Sequence, residues 1–467
     1  MRTQIAFISA LALLLGTACS DDDPGAGAST SSQILFVASE GFLTSYDVET
    51  GAERPGTIPN VTGPVDMQAF SDGHVMVNLT GRNEVLVLDG RTMLEKARIP
   101  SSRMGAIRPV HSYISPEIGG RQVWLTLNDG TGDKATNSAT FIDCKAGSTS
   151  HHQVLGEVAL GVGHHKAAFS VSRPRVVISN IADCENVLSV YDYTDLTSIK
   201  PVATLSPQAA GWDGSSFPKT CDASYKMGVP PAPHGCTTSA LSKKAYCNLT
   251  GSGDIVVADI DAEVPTFKLL KTSGAGGGYS KAGNDGRYVF TLQSEPREAD
   301  EKKPGAACQV GQLVVIDAST DTVVKELPLL YKGAGCTETI VGTAAATNEP
   351  GHIAISADGR SLFVAIGGGF MVADARSNQH LLVDISDPTN PVLKPAIEVG
   401  QGTSHRADAL SGDGKYLFVT NNVDGTVSQI DVATARLLRT IKTKDKPLTL
   451  ATWGAKEGPS AQTGPVH

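Results

Sequence analysis

The sequence predicts an all-β chain folded as a β-propeller of eight blades, with seven as the alternative count, and three observations predict it. A strand–turn–strand–strand unit recurs at a period of roughly 40–55 residues, the spacing of propeller blades. Within a unit, an inner strand ends on a small residue, and a later strand ends on an apolar residue followed by aspartate. The two ends of the chain hold complementary parts of one more unit. The 49 glycines, 19 % charged residues and 40 % hydrophobic residues suit a globular chain rich in turns.

The units follow in order. Near the start, Leu35-Phe36-Val37-Ala38 and Leu43-Thr44-Ser45-Tyr46-Asp47-Val48 read as second and third strands that lack a first. Blade 1 carries Ala69-Phe70-Ser71-Asp72-Gly73 and then Val85-Leu86-Val87-Leu88-Asp89. Blade 2 carries Tyr113-Ile114-Ser115 and Phe141-Ile142-Asp143; blade 3 carries Ala168-Phe169-Ser170 and Val190-Tyr191-Asp192. Blade 4 carries Ala240-Leu241-Ser242 and Val257-Ala258-Asp259; blade 5 carries Asn284-Asp285-Gly286 and Val315-Ile316-Asp317. Blade 6 is the clearest: Ile353-Ala354-Ile355-Ser356, the turn Ala357-Asp358-Gly359, then Leu362-Phe363-Val364 and Val383-Asp384. Blade 7 repeats it with Leu410-Ser411-Gly412-Asp413-Gly414 and Gln429-Ile430-Asp431. Pro447-Leu448-Thr449-Leu450-Ala451-Thr452-Trp453 reads as the missing first strand, so strands from both termini close the ring and leave no open sheet edge.

The net charge of −9 and the lack of a basic stretch argue against a nucleic-acid binder. Residues 1–19 read as a signal: Arg2, an apolar core over residues 5–15 that is short for a membrane span, and Gly16-Thr17-Ala18-Cys19. The placement of Cys19 resembles a bacterial lipoprotein signal, which implies lipidation of Cys19 after cleavage; Ser20 then implies outer-membrane sorting. Residues 20–32 read as a flexible tether, 33–457 as one propeller domain and 458–467 as a polar tail. The membrane is expected to be touched only through the lipid, and the chain to be a monomer in the cell envelope.

Inner strands line the central channel, and their first residues stand at one mouth. Counted back from the small residue that ends the strand, His111 and His352 stand four places before it, His164 and His405 six, and His234 eight; Tyr279 stands four before Gly283. Equal parity places these side chains on one side of their strands. Blade 1 offers Met67 and the closing blade Leu448 at this place, and His165 fits only if its strand starts late. Asp129, in the loop after the second strand of blade 2, opens on the same mouth and completes a His/Asp set. Clustered neutral imidazoles suit zinc or copper. His151 and His152 read as surface decoration, His74 and His380 as turn or outer-strand residues, and His467 as part of the tail.

Three long connections also belong to the histidine side: residues 208–233, 295–311 and 332–350. Cys308 and Cys336 lie in adjacent ones and read as a disulfide; Cys184, Cys221, Cys236 and Cys247 supply two more in open order, and Cys144 is the odd thiol.

At Leu417-Phe418-Val419-Thr420-Asn421-Asn422 the chain resembles the YVTN-type bacterial surface propellers, a resemblance that spans nearly the whole mature chain and implies the fold. A second resemblance is carried by shorter pieces. Arg108-Pro109-Val110-His111 with Asn128-Asp129-Gly130-Thr131-Gly132, then His234-Gly235 followed by Tyr246-Cys247 and residues 251–257, resemble the propeller-type periplasmic zinc metallochaperones. That resemblance implies zinc binding, transfer of the metal to a solute-binding protein in the envelope, and Cys221 as the partner of Cys247.

The expected function is therefore a non-enzymatic envelope lipoprotein that binds a transition metal, zinc before copper, through His111, His164, His234, His352, His405 and Asp129. A surface interaction scaffold is one alternative. A haem- or copper-dependent redox enzyme is the other, and the lack of a C-x-x-C-H haem attachment weighs against it. No Gly-x-Ser-x-Gly elbow or His-Glu-x-x-His helix points to hydrolysis.

Overall fold

The computed structural model describes residues 33–130, 136–163, 165–183, 185–211, 232–275, 278–293, 295–296, 309–330, 350–366, 377–402 and 406–454. Among them there is no helix, and the strands form eight antiparallel blades. Each blade runs from an inner to an outer strand, as in blade 1: Pro64–Ala69, His74–Leu79, Glu84–Asp89, Leu94–Pro100. Blade 6 is modified at its rim, where Val392–Leu393 and Ile397–Gly402 both pair with Ser377–Asp384. A separate short ladder joins Gly274–Ala275 to Glu295–Pro296.

Alternation along the strands explains why the blades stack. Leu35 and Val37 pack with Ala409 and Phe418 of blade 7, whereas Ile34, Phe36 and Ala38 pack with Met67, Val75 and Val77 of blade 1. The same strand thus serves two cores, one on each face of its sheet. Six further interfaces of this kind run round the ring, so eight apolar layers separate eight blades. The ring closes where Pro447–Trp453 pairs with Ile34–Ser39, as the complementary chain ends require.

Turns are built by the residues that mark the repeat. Ser356 Oγ donates to Asp358 Oδ1 at 2.5 Å and accepts from Ser361 N at 2.9 Å; Ser411, Asp413 and Tyr416 repeat the pattern at 2.7 and 3.0 Å. In blade 4 the equivalent serine is Ser239, whose N–H donates to Lys244 O at 3.0 Å; the inner strand therefore ends three residues earlier than Ala240-Leu241-Ser242 implies.

Cys236 and Cys247 lie opposite each other on the first two strands of blade 4 and form a disulfide. This corrects the Cys221–Cys247 pairing implied by the metallochaperone resemblance: the register puts Cys236 directly across from Cys247. Cys144 is a buried free thiol. Cys19, Cys184, Cys221, Cys308 and Cys336 lie outside the described residues, as does most of each long connection.

Candidate functional site

Five inner strands open on proline: Pro64, Pro109, Pro233, Pro350 and Pro447. Proline at a first strand position forfeits no interior ladder bond. In all five of these strands the register then slips, between Pro64 and Met67, Pro109 and His111, His234 and Cys236, Pro350 and Ile353, and Pro447 and Thr449. Such bulges re-aim the side chains beside them. In blade 1 the result corrects the sequence reading: Met67 packs in the apolar core, and Asp66 beside it is the polar group that meets blade 2.

From Asp66 a line of polar contacts crosses successive blades. Its Oδ2 accepts from Ser112 N at 2.6 Å and lies 3.7 Å from Nδ1 of the fully buried His111. Lys166 of blade 3 brings Nζ within 3.2 Å of the same His111 nitrogen and 3.4 Å of the Tyr279 hydroxyl. The Lys166 Nζ also sits 4.5 Å from the Tyr279 ring centre, a cation–π distance. Tyr279 is flanked by His234, with ring centres 5.8 Å apart, and by His352, at 4.7 Å. His352 Nδ1 lies 3.9 Å from Asp408 Oδ1, and Asp408 Oδ2 lies 3.5 Å from Nε2 of the buried His380.

Burial sets the proton affinities here. It pulls the Lys166 ammonium down to about 7, against the opposing pull of Asp66 and Asp129. It raises the Asp408 carboxyl to about 7, with Lys281 pulling the other way, and lowers the Lys281 ammonium despite Asp408. Burial, with the Arg406 guanidinium second, holds His380 down at about 3, a neutral imidazole at any ordinary pH. The wall therefore carries neutral imidazole beside an amine and a carboxyl that both change charge near neutrality, which suits metal capture and proton exchange alike.

The residues expected at this site fare differently. His111, His234 and His352 stand on inner strands and join the contact line through Lys166 and Tyr279. His164 and His405 lie outside the described residues. Asp129 pairs with His165: His165 Nδ1 is 2.7 Å from Asp129 Oδ1, and its Nε2 is 2.9 Å from Gly161 O. Both nitrogens of His165 face acceptors, so this ring orients a carboxylate. Among the described residues, the set of metal-type donors that gathers within 4.8 Å is a different one, His74, His151 and His152. It includes the pair read as surface decoration.

The sequence reading missed Asp66, Lys166, Lys281, His380 and Asp408. Lys166 had a usable signal: it stands four places before Ser170, the place of His111 before Ser115 and His352 before Ser356.

No protein-family model and no curated protein sequence matches the chain. Solved structures do. Apo AztD from Citrobacter koseri superposes with a TM-score of 0.56 at 12 % identity, over 91 % of this chain and 99 % of that one. The periplasmic gluconolactonase PpgL of Pseudomonas aeruginosa gives 0.51 at 16 %, over 91 % and 99 %. The dihydro-haem d1 dehydrogenase NirN, in complex with DHE, gives 0.52 at 16 %, over 80 % and 64 %. Structures this similar at such low identity show that the chain has the β-propeller fold, and show the fold alone.

Proposed function

We propose that this chain is a cell-envelope lipoprotein, anchored through Cys19, whose propeller binds a transition metal at the histidine-lined channel mouth. Zinc is the first candidate and copper the second. The metal is cargo, passed to an envelope protein as a metallochaperone would pass it. One observation supports the reading above the rest: the inner-strand imidazoles His111 and His352 are buried at the same mouth, each with a carboxylate within 4 Å, Asp66 and Asp408. Neither distance is a hydrogen bond, but a carboxylate beside the imidazole is the partner that metal-binding histidines use. The donor chemistry fits a borderline cation and not calcium or magnesium, which take oxygen ligands.

The test is elemental analysis of protein expressed in the periplasm, beside His111→Ala/His352→Ala. The wild type is expected to carry zinc or copper, and the double variant to carry one equivalent less. Bound metal should fall off below about pH 6, where imidazole protonates. Equal metal content in both proteins sinks the channel site. A visible absorption band would favour the redox alternative, and wild-type protein that neither carries metal nor gains thermal stability from it would favour the scaffold.

A further inference from the structure

We propose that His74, His151 and His152 form a second transition-metal site, on the face of the propeller opposite the channel mouth. It goes beyond the channel reading and does not depend on it.

Strand order places the site. His74 opens the second strand of blade 1, just after the inner-strand turn, and His151 and His152 lie between the third and fourth strands of blade 2. Both connections fall at the end of the blades away from the first residues of the inner strands. One nitrogen from each ring lies within 4.8 Å of the other two. The ring centres are 5.0 Å apart for His74 and His151, 4.9 Å for His74 and His152, and 3.6 Å for His151 and His152. Zinc at 2.0–2.1 Å from three nitrogens needs them about 3.4 Å apart, a gap that small side-chain rotations close.

The rings are held for this purpose. Nδ1 of His74 is bonded to Asp72 Oδ1, which also accepts from His74 N at 3.2 Å, and Phe70 stacks on the ring at 4.0 Å. That carboxylate fixes the tautomer and aims Nε2 outward, as a carboxylate behind a metal-binding histidine does. Adjacent residues in extended chain point to opposite sides, yet His151 and His152 share one. The left-handed backbone at His152, φ 65°, turns the second ring back beside the first. The same conformation stands at this third-to-fourth-strand turn in other blades, at Met93, Asp321 and Ala435, so the turn itself sets it. The surrounding loop enforces it: His152 N donates to Asp143 O at 2.8 Å, and Asp143 Oδ2 accepts from Ser148 Oγ at 2.6 Å and Ser150 Oγ at 2.5 Å.

The strongest sign is what the rings leave unsatisfied. Nε2 of His74, of His151 and of His152 is each buried with no hydrogen-bond partner. Three buried, unpartnered nitrogens on rings this close together are unfavourable unless something bridges them. Three imidazole nitrogens with a fourth position left to water suit Zn²⁺, Cu²⁺, Ni²⁺ or Co²⁺, and reject Ca²⁺ and Mg²⁺.

The experiment is titration of the metal-free mature chain with Zn²⁺ against a chromophoric chelator, and with Co²⁺ by visible absorption. His111→Ala/His352→Ala should still bind one Co²⁺ with the d–d bands of nitrogen coordination. Adding His74→Ala to that variant should abolish the bands, and adding Asp72→Asn should weaken binding about 10–100-fold. If the triple variant binds Co²⁺ as tightly as the double, the inference is wrong. A wild type that binds one metal, lost with His74→Ala and kept with His111→Ala/His352→Ala, supports this site and defeats the channel site. In case His74→Ala fails to fold, diethyl pyrocarbonate labelling of the wild type decides: Zn²⁺ should protect His151 and His152, and equal labelling with and without Zn²⁺ overturns the site.

Discussion

Asp408 holds a buried carboxyl whose Oδ2 has no hydrogen-bond partner. Its proton affinity, raised to about 7 from the ordinary 3.8, has a consequence for stability. The native chain keeps a proton that the unfolded chain releases above about pH 4, so stability falls as pH rises from about 4 to 7 and is then level. Asp408→Asn removes the charge and keeps the shape. In metal-free protein the variant should match the wild type near pH 4 and exceed it by on the order of 2–4 kcal/mol near pH 8. Lys166 has the opposite slope. Its native amine, at about 7, lacks a proton that the unfolded lysine keeps up to about 10.5, so stability rises across that interval. Lys166→Met should therefore gain most below pH 7, with the gain gone above about 10.5. Urea unfolding at several pH values measures both, and curves that run parallel to the wild type refute them. The histidines of this wall were legible because His111 and His352 recur at one place in the blade. Lys166 occupies that same place, but a lysine at a strand end reads as a solvated terminus. Its burial depends on Asp66, Asp129 and Tyr279 arriving from three other blades, and a linear reading does not bring them together.

Elements explain the remaining misses. The repeat, the turn residues and the closing strand were readable because each is a short-range pattern of period two ended by turn chemistry. Bulges are not: the slip between Pro64 and Met67 brings Asp66 against Ser112 and His111 and leaves Met67 in the core, and nothing in the local sequence announces it. The left-handed turn at His152 is hidden for the same reason. Turn glycines give a sharper test of how elements meet. Gly286 and Gly359 share a φ of 71°, and both end an inner-strand turn. A Cβ on Gly359 would find its nearest neighbour at 3.7 Å, whereas on Gly286 it would stand 2.7 Å from the backbone nitrogen of Leu241 in the adjoining blade. Gly359→Ala should therefore cost only the left-handed strain, about 1 kcal/mol. Gly286→Ala adds an overpacking term of about 1–3 kcal/mol, because backbone cannot swing aside as a side-chain tip can. Urea midpoints at unchanged m-value measure the difference. Equal losses would mean that blades 4 and 5 slide apart at little cost.

For the whole molecule, the decisive feature is that no blade owns its core. Each of the eight apolar layers lies between two blades, so every sheet depends on both neighbours. The strand Pro447–Trp453 supplies the inner edge of the closing blade and buries Leu450 and Ala451, which serve the layers toward blade 7 and blade 1 respectively. Burying the leucine is worth about 2–3 kcal/mol, and the ladder to Ile34–Ser39 adds about 1 kcal/mol per hydrogen bond. The sum approaches the 5–15 kcal/mol, roughly, that holds a domain folded. Loss of the strand also exposes the edge of Ile34–Ser39, an apolar template for aggregation. Truncation after residue 445 should therefore give no stable eight-bladed product: it should aggregate or unfold well below the wild-type midpoint. Leu450→Ala, which keeps the ladder and empties one layer, should lose about 2–5 kcal/mol and remain folded. A synthetic peptide of residues 446–454 added in trans should restore the truncated chain, because what is missing is an edge and not a connection. If the truncated chain instead melts cooperatively at the wild-type temperature, the layers between blades are sufficient without closure. Ring closure would then serve to cover an edge and would not be needed for stability.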